Sequence, residues 1–124
     1  MGKPETMMID DVKYVRADSV KDLAPAEAHG DMPYVIARTY SAGVFAGYLK
    51  ERNGKEATLI NSRRIWHWKG AASLSQLAVD GTSKPNGCKF PCEVPHTELT
   101  EVVEVIGVTA KAKESIDSVP VWEE

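Results

Sequence analysis

No stretch of this chain is apolar over anything near the roughly 20 residues a bilayer span requires. Its first dozen positions carry Glu5, Asp10 and Asp11, where a secretion signal would be apolar. A chain of this kind is expected to be neither secreted nor membrane-spanning, and to work in the cytoplasm. Cysteine is scarce, with only Cys88 and Cys92. Two thiolates are too few ligands for a structural zinc unless His96 or a second chain completes the set, and the spacing of Cys88, Cys92 and His96 fits no established zinc signature. Free thiols in a loop, no metal and no stable disulfide are therefore expected. P-loop, dinucleotide and metalloprotease motifs are all missing. Charge of one sign is missing locally as well. From Ala57 to Val79 there are Arg63, Arg64 and Lys69 but no Asp or Glu, whereas Phe90 to Ala110 holds Glu93, Glu98, Glu101 and Glu104 but no Lys or Arg. A net charge of -3 argues against wrapping duplex DNA, which needs a broad cationic face. The acid-free stretch could still attract a small anion.

What is present is ordinary for a folded domain. The 124 residues, 43% hydrophobic and 27% charged, suit one domain over 1–124 that buries roughly two-thirds of its unfolded surface. Residues 1–32 read as an N-terminal strand, Val12 to Arg16, followed by a loop; residues 33–124 read as the compact core. Four β-branched or aromatic runs follow, Tyr34 to Tyr40, Val44 to Leu49, Ala57 to Ile60 and Arg64 to Trp68, separated by turn formers. Asn53-Gly54 favours a type I′ hairpin. Helical spacing then runs from Gly70 to Asp80, with a serine to cap it and Gly81 to stop it. The proline-rich stretch from Gly81 to Pro95 reads as loop and Glu98 to Val108 as a further strand. Thr109 to Asp117 reads as a capped helix, and Ser118 to Trp122 as an extended tail. The class is α+β, mainly an antiparallel meander with two short helices packed on it.

Chemistry concentrates in the segment from Asn61 to Lys69. A strand there places Arg64, Trp66 and Trp68 on one face and Arg63, Ile65, His67 and Lys69 on the other. Two indoles beside a guanidinium suit a nucleobase that stacks and a phosphate that the arginine forks. Two buried core tryptophans are the plainer alternative. His67 has no partner at a spacing that would make it a general base, and Glu98, Glu101 and Glu104 do not share one strand face. No catalytic residues are expected. The turn into the first helix at Gly70 to Ser73, and the start of the last at Thr109 with Lys111, offer amides and a positive dipole end to an anion, or are simply a turn and an N-cap. The candidate ligand-binding set is Asn61, Arg63, Arg64, Trp66, Trp68, Lys69, Phe90, Thr109 and Lys111.

Four segments, Val12 to Asp18, Arg38 to Gly43, Arg63 to Ala78 and Cys88 to Phe90, resemble a phage and prophage family long labelled a domain of unknown function. We identify it as the family of the first-described Thoeris anti-defence sponge proteins; the resemblance covers almost the whole chain. It implies a non-enzymatic protein, without cofactor, that captures the cyclic ADP-ribose isomer made by bacterial TIR-domain defence enzymes. It further implies capture of cyclic di- and trinucleotide signals and assembly as a dimer or hexamer in the cytoplasm of the bacterial host. Two other readings stay open: a phage module that binds a host protein through exposed aromatics, and a small nucleotide hydrolase using His67 or a glutamate as base.

Overall fold

The computed structural model describes residues 23–123, so the expected strand from Val12 to Arg16 lies outside the described residues. Five strands, β1 (Tyr34–Thr39), β2 (Val44–Asn53), β3 (Glu56–Arg64), β4 (Val94–Leu99) and β5 (Val102–Gly107), form one antiparallel sheet in the order β4-β3-β2-β1-β5. Two short helices, α1 (Leu74–Asp80) and α2 (Ala110–Asp117), complete the α+β fold expected from the sequence. Both caps are the expected ones. Ser73 Oγ accepts from Gln76 N–H, Gly81 N–H closes α1 onto Leu77 O, and Thr109 Oγ1 accepts from Ala112 N–H.

Several expected boundaries differ, among them the start of α1, at Leu74 and not Gly70, and the end of β2, at Asn53 and not Leu49. The runs read as separate strands at Ala57 to Ile60 and Arg64 to Trp68 are not two strands: β3 continues through Arg64 and then leaves the sheet, with Ile65 N–H on Val44 O and His67 paired with Lys89. The joint inside β3 is a bulge, where Ala46 and Tyr48 face Arg63 and Ile60, and Asn61 takes a left-handed φ of 50°. Asparagine tolerates that conformation better than most side chains. The single strand expected from Glu98 to Val108 is two, broken at Thr100 and Glu101, and β4 begins inside the stretch read as loop. Pro95 can sit there because β4 is an edge strand and needs no outward N–H. At the β2–β3 hairpin Asn53 pairs with Glu56, so the turn residues are Gly54 and Lys55, and only Gly54 has positive φ. That is the type II′ pattern, one residue on from the expected turn.

The break between β4 and β5 shapes the sheet. Leu99 and Val102 can be at most about 11 Å apart along the chain. A flat five-stranded sheet would hold its outer strands roughly 19 Å apart. The sheet therefore curls until its edges meet at this corner, where Tyr40 N–H donates to Glu101 O (2.9 Å) and Val102 N–H to Lys55 O (2.9 Å). Bulges in β2, β3 and β5 supply the bend. Gly47 lies at its tightest point: a Cβ there would stand 2.6 Å from Ser62 Cβ.

Curling gives two cores. Val35, Ala37, Phe45, Leu59, Leu99 and Val102 fill the inside of the curl, while Ile36, Ala46, Leu77, Phe90 and Ile116 pack between the outer face and the helices. Strand alternation sends Val35 and Ala37 one way and Tyr34 and Ile36 the other, which is why β1 is buried on both faces. No helix among the described residues is long and apolar enough to cross a membrane.

Candidate functional site

The last three residues of β3 are Ser62, Arg63 and Arg64, and alternation assigns the two arginines to opposite faces. Arg63 stands opposite Ala46, whose small side chain leaves room for the guanidinium to lie under the helices. It is 7% exposed and donates to five carbonyls: Nε to Pro91 O (3.1 Å), Nη1 to Ile116 O (3.2 Å) and Val119 O (3.1 Å), Nη2 to Phe90 O (2.8 Å) and Pro120 O (3.4 Å). Arg63 was expected among the ligand contacts. Its donors are instead spent on the protein, pinning residues 90–91 and the tail after α2 against the sheet. Phe90, another expected ligand contact, is fully buried beneath that guanidinium, 5.4 Å from it, and offers no face to a ligand.

The tail so pinned forms one wall of a polar cleft of about 490 Å³. Val119 and Val121 line that wall; Tyr34, Tyr48 and His29 supply aromatic surface, with Asn61 at the bulge beside them. Tyr34 and Tyr48 are direct partners across the β1–β2 ladder, their rings meeting edge to face at 5.1 Å and 73°, and His29 lies 5.3 Å from Tyr48. Lys113, on α2, places its ammonium 4.8 Å over the Tyr34 ring and 5.7 Å from Tyr48, and 2.6 Å from Asp117 Oδ2 one helical turn on. Glu93 completes the charged lining.

Electrostatics hold Tyr34 and Lys113 each in one protonation state. Burial, reinforced by the neighbouring Asp117 carboxylate, pushes the Tyr34 phenol well above its ordinary value, so it remains a hydrogen-bond donor. For Lys113 burial pulls downward, but the hydrogen bond and charge of Asp117, with Tyr48, outweigh it and hold the ammonium above the usual lysine range.

The remaining expected contacts fall elsewhere. Arg64 is exposed and lies 4.7 Å over the ring of Phe45, its cross-strand partner, at the mouth of a second cleft on the curl side of the sheet. Trp66, 60% exposed, stacks on Trp122 of the tail (6.2 Å, 19°), and Lys89 caps the Trp122 ring at 5.3 Å. Trp68 does not join them, because it packs half-buried against the helix-side core once the chain has left the strand. The expected face of Arg64, Trp66 and Trp68 is thus split among three places. Lys69 is exposed, with its stem against Gly87. Thr109 is buried, and its hydroxyl is used twice, accepting from Ala112 N–H (3.0 Å) and donating to Val79 O (2.7 Å). Ala110 N–H is taken by Ala24 O, so this helix start is built into the fold and is no open anion seat. Lys111 is exposed, 3.9 Å from Asp80. Cys88 is buried and Cys92 exposed, both as free thiols, and among the described residues no group of three or more His, Cys, Asp and Glu could hold a metal ion.

Of the nine expected contacts, the polar cleft therefore gathers Asn61 and Arg63 and brings His29, Tyr34, Tyr48 and Lys113 to them. One signal for the missed tyrosines was present: equal steps back from a hairpin centred on Ser41 set Tyr34 opposite Tyr48. Lys113 gave no such signal, since only the docking of α2 aims it at the sheet. No curated protein and no solved structure matches the chain. Residues 32–116, which hold all five strands and all but the last residue of α2, match the family described as Domain of unknown function (DUF6948), and the chain belongs to that family.

Proposed function

We propose that this protein binds a cyclic nucleotide signal and holds it intact, as a phage anti-defence sponge in the cytoplasm of the bacterial host. The observation that carries the reading is the Lys113 ammonium, locked by Asp117 over two tyrosine rings in a concave site of about 490 Å³. That volume falls in the range of small-molecule sites. A base can stack on Tyr48 and His29, ribose hydroxyls can donate to Asp117 and Glu93, and a phosphate can meet Lys113 and the Tyr34 hydroxyl. Proton transfer near neutral pH needs a group that titrates there. Tyr34 and Lys113 are both shifted away from that range, so in this reading they serve as a hydrogen-bond donor and a fixed positive charge. The family resemblance suggests the ligand, a cyclic ADP-ribose isomer with cyclic di- and trinucleotides as further candidates, and suggests a dimer or hexamer.

Thermal melting with each cyclic nucleotide tests this. A ligand at a hundred times its Kd stabilises by about 2.7 kcal/mol, and Lys113→Ala together with Tyr48→Ala should abolish the shift. Heating the complex should return the ligand unchanged; a cleaved product would support the hydrolase reading instead. The exposed Trp66–Trp122 stack favours a second reading, a module that binds a host protein through these aromatics. Under it no cyclic nucleotide shifts the melt, and Trp66→Ala abolishes capture of the partner.

A further inference from the structure

The curl of the sheet is closed at the Leu99–Val102 corner and open at its other end, where Ser62 pairs with Val94 at the far limit of the β3–β4 ladder. A second cleft, of about 350 Å³, lies at that open end. Phe45, a member of the core inside the curl, forms part of its lining, with Pro91, Val94 and Cys92 around it and Thr97 to one side. Thr97 Oγ1 and Ser62 Oγ share one hydrogen bond of 3.0 Å. Arg64 is the one charged residue there, and no carboxylate of the described residues lines the cleft.

Arg64 is unusual in what it lacks. Among the described residues its side chain has no ion pair and no hydrogen bond, and its guanidinium carbon lies 4.7 Å over the ring of Phe45. A guanidinium seated over a ring by cation–π attraction keeps its N–H groups free to fork an oxyanion. Arg63, the adjacent residue, has every nitrogen occupied. A largely apolar recess lined by one guanidinium without an ion-pair partner complements a molecule with an apolar body and a single anionic head.

We propose that this open end of the curl is a binding site for a small amphipathic anion, a carboxylate carrying a compact apolar body. The apolar part enters beside Phe45 and Val94, and the carboxylate is held bidentately by Arg64. The site is separate from the polar cleft over Tyr34 and Tyr48, on the other face of the sheet, and does not depend on the function proposed for it.

Cys92 lines the cleft and is exposed, whereas Cys88 is buried, so alkylation of the full chain by iodoacetamide, followed residue by residue by mass spectrometry, reports occupancy. Octanoate is the probe; acetate, which lacks the apolar body, and octanol, which lacks the charge, are the comparisons. At ten times its Kd, octanoate should slow Cys92 alkylation by about tenfold while acetate and octanol leave the rate unchanged. Arg64→Gln should remove the protection, and Val94→Asp, which places a like charge beside the head group, should remove it too, with both variants melting as the parent does. Absence of protection by millimolar octanoate would overturn the proposal. Equal protection by octanol, or undiminished protection in both variants, would overturn it as well, and protection by a cyclic nucleotide alone would reassign the cleft to that ligand.

Discussion

Arg63 and Arg64 are neighbours in the chain and serve opposite sides of the sheet: one guanidinium is buried on five backbone carbonyls, the other lies exposed on the ring of Phe45. Removing Arg63 takes the guanidinium donor from the carbonyls of residues 90, 91, 116, 119 and 120, of which, among the described residues, only Phe90 O and Ile116 O keep a backbone donor, from Trp122 and Val119. Arg63→Ala should therefore cost roughly 3 kcal/mol or more. Arg63→Lys should recover little, since an ammonium is a point donor and cannot span the fork. Arg64→Ala should stay within about 0.5 kcal/mol of the parent, as exposed positions usually do. Urea unfolding measures all three, and equal losses at the two arginines would refute the assignment of faces.

Gly47 and Ser62 approach where the sheet bends most sharply. Gly47→Ala sets a methyl 2.6 Å from Ser62 Cβ and 2.9 Å from its Cα, and backbone cannot move aside cheaply. A loss of about 1–3 kcal/mol is expected, typical of overpacking. At Gly54, on the exposed hairpin tip, no atom lies near the added methyl, so Gly54→Ala should show only the smaller cost of its positive φ. Melting temperatures of the two variants, ranked against each other, check this.

Alkaline pH should weaken the fold through Tyr34 and Lys113. Both are raised in the folded state, so above the unfolded tyrosine value of about 10 the folded chain holds protons that the unfolded chain has released. Stability is fully present below that pH and falls as pH rises beyond it. A phenolate absorbance titration should show a late component that ionises only as the fold is lost. In Tyr34→Phe that late component disappears; its persistence would exclude Tyr34 as the source.

Trp66 and Trp122 stack across the surface between the end of β3 and the tail. Exciton coupling in the near-ultraviolet circular dichroism should be lost in Trp66→Phe and in Trp122→Phe alike, because either change breaks the pair. The stability cost should be only about 0.5–1.5 kcal/mol, since Arg63 and the Val121–Phe90 bridge still hold the tail.

Much of the fold was legible because its signals are local. β-branched runs, the caps Ser73 and Thr109 and the stop at Gly81 act over a few residues, and each behaves as its chemistry dictates. Alternation also separated Arg63 from Arg64 correctly. It failed from Ile65 onward, because period-two reasoning holds only while the strand lasts, and the chain leaves the sheet there to reach Lys89. Phe90 and Thr109 were misjudged for a related reason. An aromatic ring or a capping hydroxyl has the same local chemistry whether it meets a ligand or a neighbouring element.

The sequence by itself determined the α+β class, the hairpins, both helices and the opposition of the two arginines, all set by interactions between residues a few positions apart. Only the tertiary structure decided that Thr100 and Glu101 join opposite edges of the sheet, that the curl stays open beside Arg64, and that Lys113 comes to rest over Tyr34 and Tyr48. Those outcomes depend on where bulges bend the strands and how α2 docks. They follow from packing between segments far apart in the chain, for which no local pattern carries a signal.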